Sequence, residues 1–133
     1  MSNIDATRSV YAALERWDLS AVLGALDPAI EWREAEGNPA QLDGQAWTGP
    51  AMVREKLFER IAAGWDEFQA LPRAFHDAGD TIVVEGRYRG MVRASGRVVD
   101  AQFCHIWGVR GRKMTSFQQY VDTAQLQQAI RAR

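Results

Sequence analysis

The sequence predicts an α+β fold, with helices packed on one face of a curved antiparallel sheet. Three observations predict it. Helical spacing of apolar residues dominates the first half of the chain, and strand-like runs succeed one another after Gly64. The last two runs, Ala101 to Val109 and Lys113 to Val121, flank an Arg110-Gly111-Arg112 turn. Helices followed by a series of strands segregate into layers, and β-branched and aromatic runs around a glycine-bearing turn form a hairpin.

Each element follows from its own residues. From Asn3 to Trp17, Ile4, Val10, Tyr11, Leu14 and Trp17 recur at helical spacing. Asp18 caps a second, short helix carrying Leu19, Val22, Leu23 and Leu26, which Asp27-Pro28 terminates. Ala29 to Glu34 alternates as a strand, with Trp32 and Glu34 on one face. Gly37, Asn38, Pro39, Asp43 and Gly44 make residues 35–48 a loop. A loop of that length is commonly a lid or pocket rim. Thr48-Gly49-Pro50 opens a third helix, reaching about Ala63, whose stripe is Val53, Leu57 and Ile61 with Met52 and Phe58 beside it. Trp65 to Phe75 is a strand that Pro72 marks as an edge or a bulge. His76 to Asp80 reads as a turn, and Thr81 to Val92 and Arg97 to Val109 as strands joined near Ala94-Ser95-Gly96. After the hairpin, Asp122-Thr123 caps a short helix with Leu126 and Ile130 four apart.

A chain of 133 residues is expected to be a single domain over 1–133, long enough to bury about two-thirds of its unfolded surface. Its 16 basic and 17 acidic residues leave no electrostatic footprint for nucleic acid or an anionic membrane. Arg87, Arg89, Arg93 and Arg97 fit solvated strand positions better than a phosphate track. The single cysteine, Cys104, rules out an internal disulfide and fits a reducing compartment, the cytoplasm by default. The first residues lack the basic start and apolar stretch of a signal peptide, and no run approaches the ~18 apolar residues of a membrane span. Five tryptophans exceed what a core of this size needs and point to a pocket or an interface.

The chemistry-bearing residues stand inside apolar strands. His105 lies between Phe103 and Trp107, and Gln118-Gln119 between Phe117 and Tyr120. A packed core avoids such groups unless they are partnered, whereas a pocket wall uses a few to orient a ligand. His105 would act as a general acid or base, because an ordinary imidazole titrates at about 6.5. Glu34, beside Trp32, is the carboxylate placed to serve as a base, its proton affinity raised by an aromatic neighbour. Tyr88 can donate to a ligand carbonyl. Trp17, Trp32, Trp47 and Trp107 are pocket lining or plain core. No metal or cofactor is expected: His76 and His105 stand on separate elements, and no phosphate-binding glycine loop or serine elbow is present.

The element order, together with Asp18-Leu19, Trp47-Thr48-Gly49-Pro50 and the Val109 to Thr123 hairpin ending, resembles the nuclear-transport-factor-2-like superfamily. Within it the chain is most similar to the SnoaL-like branch, relatives of polyketide cyclases and ketosteroid isomerases. The segments Glu36-Gly37-Asn38-Pro39, Gly86-Arg87-Tyr88-Arg89-Gly90, Phe103-Cys104-His105-Ile106-Trp107 and Phe117-Gln118-Gln119-Tyr120-Val121-Asp122-Thr123 carry that likeness. The resemblance implies a cone of strongly bent antiparallel sheet, three N-terminal helices on its concave face, a pocket inside, and a homodimer through the outer face. It implies that Val84, Gly86, Tyr88, Ala101, Phe103, His105, Trp107, Phe117, Gln119 and Val121 point inward; the expected ligand-binding set is Trp17, Trp32, Trp47, Phe58, Val84, Phe103, Trp107 and Phe117. A strict two-residue turn would instead set Gln118 opposite His105; a bulged or three-residue turn restores Gln119.

The chain also departs from the pattern. Where ketosteroid isomerases carry an Asp general base it has Trp32, and their protonated Asp donor corresponds to His105. SnoaL-like cyclases carry a catalytic Asp where Gln119 stands, although their His matches His105. One expectation is therefore a cofactor-free isomerase, cyclase or hydratase acting on an apolar, carbonyl-bearing molecule, using His105, Glu34, Gln119 and Tyr88. The alternatives are a non-catalytic binding module for a small apolar metabolite, or a structural dimer with a vestigial pocket. The dimer contact would use Cys104, Ile106, Gln118 and Tyr120 on the outer face.

Overall fold

The Ser2 hydroxyl accepts the Asp5 N–H and so starts α1 (Asn3–Glu15), which buries Ala6, Val10, Tyr11 and Ala13. The computed structural model describes residues 1–131; residues 132 and 133, the end of the expected 1–133 domain, lie outside the described residues. Asp18 accepts from the Ala21 N–H and caps α2 (Leu19–Ala25), as the sequence predicts. The next strand starts earlier than expected. β1 runs Leu26–Arg33, so Asp27-Pro28 lies inside a strand and does not end a helix. Its pairing is interrupted between Leu26 and Glu31, which is where Pro28, lacking an N–H, is tolerated.

The stretch expected to be all loop contains a 3-10 turn (Pro39–Gln41) and a two-residue strand, β2 (Trp47–Thr48), paired to β1 through Trp32 and Trp47. The third helix is three joined pieces: α3 (Pro50–Val53), a π turn (Arg54–Phe58) and α4 (Glu59–Gly64). Four strands follow, β3 (Trp65–Ala78), β4 (Thr81–Val92), β5 (Val98–Arg110) and β6 (Lys113–Val121), and then α5 (Thr123–Arg131). His76, Asp77 and Ala78 continue β3, so the turn expected over His76 to Asp80 shrinks to Gly79-Asp80.

The sheet order is β2-β1-β6-β5-β4-β3. It is antiparallel apart from β1 and β6, which run parallel, a seam that the sequence pattern did not reveal. β3 is an edge strand with a register shift between Pro72 and Ala74, so Pro72 marks both an edge and a bulge. Opposite Pro72 stands Gly86. A Cβ there would collide with the Leu71 carbonyl oxygen and fall 2.6 Å from the Phe103 ring, so glycine lets the bent strands close up.

The β5–β6 hairpin resolves the parity question. Its turn is a strict two-residue one, with Gly111 at φ 57° and Arg112 at φ 65°. The bulge sits further along, where Val109 pairs with Met114 but Gly108 pairs with Ser116, leaving Thr115 extra. That one residue brings Gln119, and not Gln118, opposite His105. Alternate residues of β5 (Val99, Ala101, Phe103, His105, Trp107, Val109) are then buried on the helix-covered face.

Candidate functional site

A cavity of about 100 Å³ opens between that face and the helices. One water needs roughly 10–15 Å³ measured this way, so the space suits a small organic molecule. Its walls are apolar and aromatic, with Trp32, Phe58, Trp107 and Phe117 among the residues expected to touch a ligand. Trp32 stacks on Phe117 with ring centres 3.9 Å apart and meets Trp107 edge-on at 5.6 Å. The other four expected lining residues do not reach the cavity. Trp17 packs edge-on against Phe58 and Phe68, and Trp47 is buried on β2. Val84 is fully buried under His105, and Phe103 stacks on the imidazole at 3.9 Å. Trp47, Val84 and Phe103 are core, and Trp17, half-buried in the turn between α1 and α2, packs against the core outside the cavity. In their place Leu14, Leu57, Ile61, Trp65, Phe68 and, from the C-terminal helix, Leu126 and Ile130 complete the lining.

The strands bring the expected polar residues together. His105 sits mid-β5 with Gln119 as its cross-strand neighbour on β6, and Tyr88 reaches it from β4. The Tyr88 hydroxyl lies 2.5 Å from His105 Nε2, and Gln119 Nε2 donates to the Tyr88 oxygen at 2.9 Å. Gln119 Oε1 accepts from Asn38 Nδ2 at 2.8 Å and from the Ala35 N–H at 3.3 Å. On the other side of His105, Nδ1 lies 2.6 Å from the Tyr11 hydroxyl, which accepts from Trp107 Nε1 at 2.7 Å. Both ring nitrogens are thus engaged. With the ring enclosed on all sides, burial pushes its pKa down to about 3, so the imidazole is neutral.

Glu34 follows directly on β1. Its backbone N–H donates to Gln41 Oε1 at 2.9 Å while Gln41 Nε2 donates to the Trp32 carbonyl at 3.2 Å. This clamp turns the carboxyl inward, where it is 6% exposed and meets the Trp32 indole N–H at 3.4 Å. Burial is the main cause of a pKa raised to about 7, and the indole opposes it only partly. The Tyr88 hydroxyl is held well above its usual range, first by burial and then by the nearby Glu34 charge.

Three participants were not singled out in the sequence. Tyr11 counted only as an apolar residue on a helix, although a buried tyrosine needs a partner for its hydroxyl. Asn38 and Gln41 belong to a stretch that reads as chain breakers. Asn38 caps the 3-10 turn through Oδ1, and with Ala40 it brings this stretch to the cavity wall. Gln127 on α5 ties the same stretch down by donating to the Gly37 carbonyl at 2.8 Å. His76 lies far from the site, paired with Glu85 at 2.7 Å on the surface. Among the described residues no three His, Cys, Asp or Glu side chains converge on a metal position, and no helix is long and apolar enough to cross a membrane.

Comparison with known proteins returned solved structures of this architecture. An NTF2-like protein from Burkholderia thailandensis is 32% identical, with 98% of each chain covered and a TM-score of 0.91. One from Burkholderia pseudomallei is 29% identical over 99% of this chain and 100% of that one, at a TM-score of 0.87. TerC, co-crystallised with polyporic acid, is 27% identical over 98% of each chain, at 0.84. No curated protein matched the sequence. The model of the SnoaL-like domain matches residues 7–117, and on that match the chain belongs to the SnoaL-like family.

Proposed function

We propose that the protein is a cofactor-free acid–base enzyme, an isomerase, cyclase or hydratase, acting on a small, largely apolar, carbonyl-bearing molecule. One observation carries the reading: Glu34 is a carboxyl buried in the wall of an apolar cavity that no Lys or Arg lines among the described residues, and burial raises its pKa to about 7. A base poised near the working pH can both take and return a proton. Glu34 removes a hydrogen next to the substrate carbonyl, and Tyr88 donates to the oxygen on which charge develops. The proton then returns to another carbon, or the enolate carbon attacks within the molecule. His105, the first candidate from sequence for proton transfer, is assigned here to orienting Tyr88, since neither of its nitrogens is free. The ligand of TerC supports a small organic molecule as the occupant. The single free cysteine, Cys104, supports a reducing compartment, the cytoplasm, and the apolar residues on the outer sheet face support a homodimer.

The test uses a panel of enolisable ketones and lactones in deuterated buffer. Wild-type protein incorporates deuterium next to the carbonyl of at least one compound, and Glu34→Gln slows this by about 10²-fold or more. Tight binding across the panel with no exchange would make the protein a binding module, and unchanged exchange in Glu34→Gln would remove Glu34 from the reaction.

A further inference from the structure

The hydrogen bonds around His105 have a direction, because both ends of their chain run one way. Trp107 Nε1 can only donate, and it lies 2.7 Å from the Tyr11 oxygen. At the other end the Ala35 backbone N–H, also a donor only, faces Gln119 Oε1 and fixes which way that amide points. Gln119 Nε2 therefore donates to the Tyr88 oxygen. Between the two tyrosines stands one imidazole, bonded to Tyr11 through Nδ1 and to Tyr88 through Nε2. A neutral imidazole has one proton and one lone pair, so one tyrosine donates to it and the other accepts.

The accepting tyrosine keeps its own proton for another partner. Were that Tyr11, the proton would lie among the rings of Phe75, Trp107 and His105, in a residue 3% exposed. An unmade buried hydrogen bond costs about 1–3 kcal/mol. Were it Tyr88, the proton would face the cavity that Tyr88 and Glu34 line together, where a ligand oxygen can take it.

We propose that Trp107, Tyr11 and His105 form a directed chain that turns the Tyr88 proton into the pocket as the donor for a ligand carbonyl. The order is Trp107 N–H to Tyr11 oxygen, Tyr11 O–H to His105 Nδ1, His105 Nε2–H to Tyr88 oxygen. Tyr88 touches the ligand; Tyr11, Trp107 and His105 are positioning residues. Because the Tyr88 oxygen already accepts twice, its own O–H is polarised and donates more strongly. The pocket therefore favours ligands that present an acceptor oxygen there, and an enolate oxygen above the neutral ketone from which it forms. The direction of the chain stands apart from catalysis; only the ligand class rests on the proposed function.

Ligand-free protein labelled with ¹⁵N in its two histidines tests the direction, with exposed His76 as an internal reference. Long-range ¹H–¹⁵N correlation should show His105 protonated at Nε2 and bare at Nδ1, unchanged between about pH 5 and about pH 8. A proton on Nδ1, or a doubly protonated ring, would overturn the chain while leaving any Glu34-dependent exchange intact. A second measurement uses ¹³C-carbonyl acetophenone. Its infrared stretch should move to lower frequency on binding, lose that shift in Tyr88→Phe and keep only part of it in Tyr11→Phe. A full shift in folded Tyr11→Phe would deny Tyr11 its positioning role.

Discussion

Glu34 and His105 are buried in one pocket, and burial moves their protons in opposite directions because it penalises whichever form is charged. Glu34 rises from an ordinary 4.5 to about 7, so between those values the native state holds a proton that the unfolded chain has lost. Stability therefore falls as pH rises through that window. His105 drops from 6.5 to about 3, so there the unfolded chain holds the extra proton and stability falls as pH is lowered. The two slopes cancel where the windows overlap and leave an acid limb from His105 and an alkaline limb from Glu34. Glu34→Gln, which keeps the shape and removes the charge, should delete the alkaline limb. Its stability relative to wild type, read from urea melts, should improve by about 2–3 kcal/mol between about pH 5 and about pH 8.5. A difference that does not change with pH would show that Glu34 titrates as an ordinary carboxyl. If Glu34 is the base, turnover should rise with pH through the same region while stability declines.

Among the elements, β3 and β4 set the bend that makes room for the pocket, and the tightest approach is at Gly86. Alanine there would drive its methyl into the Leu71 carbonyl, which as backbone cannot swing away. Gly86→Ala should cost roughly 1–3 kcal/mol or more, as other overpacked sites do. Gly24, within α2, is the contrasting case, since a Cβ there meets nothing within 4 Å. Gly24→Ala should gain up to about 1 kcal/mol by restoring helix propensity. Parallel denaturant titrations of the two variants would check both, and equal effects would show that the close approach at Gly86 is relieved at little cost. The π turn in the third helix is a further element-level device. It sets Leu57 and Phe58, adjacent in sequence, on the cavity wall together.

For the molecule as a whole, the face of the sheet turned away from the pocket has to be accounted for. Cys104 pairs across the strands with Tyr120, and Ile106 with Gln118, and Tyr120 is 54% exposed. An antiparallel face left to water is usually more polar than this. The homodimer proposed above covers the patch, and a two-fold axis would use it twice. Ile106→Asp should then cost several kcal/mol of dimer stability by burying unpaired charge. Sedimentation should find a wild-type dimer at tens of micromolar and a monomeric variant. A wild-type monomer, or a dimer untouched by the substitution, would place the interface elsewhere or nowhere.

The family resemblance implied which side of β5 faces inward, while the α+β class, the helix caps at Asp18 and Asp122, the edge role of Pro72 and the alternation itself were legible in the residues. Each depends on local spacing or on what one backbone residue can do. Glu34, His105, Tyr88 and Gln119 could be nominated in the same way, as polar residues on otherwise apolar faces. Their roles were another matter. That Gln119 faces the pocket depends on a bulge at Thr115, three residues beyond a turn that by itself would have favoured Gln118. The partners that lock His105 are Tyr11 on α1 and Tyr88 on β4, and Tyr11 stands 94 positions away in the chain. Trp17, Trp47, Val84 and Phe103 share the apolar character of true pocket residues, and only the tertiary packing leaves them outside the cavity. Periodicity tells which side of a strand a residue occupies. Whether that side meets space or another side chain is decided by how far the sheet bends, and the bend is the joint result of bulges, glycines and parallel pairing spread across the chain.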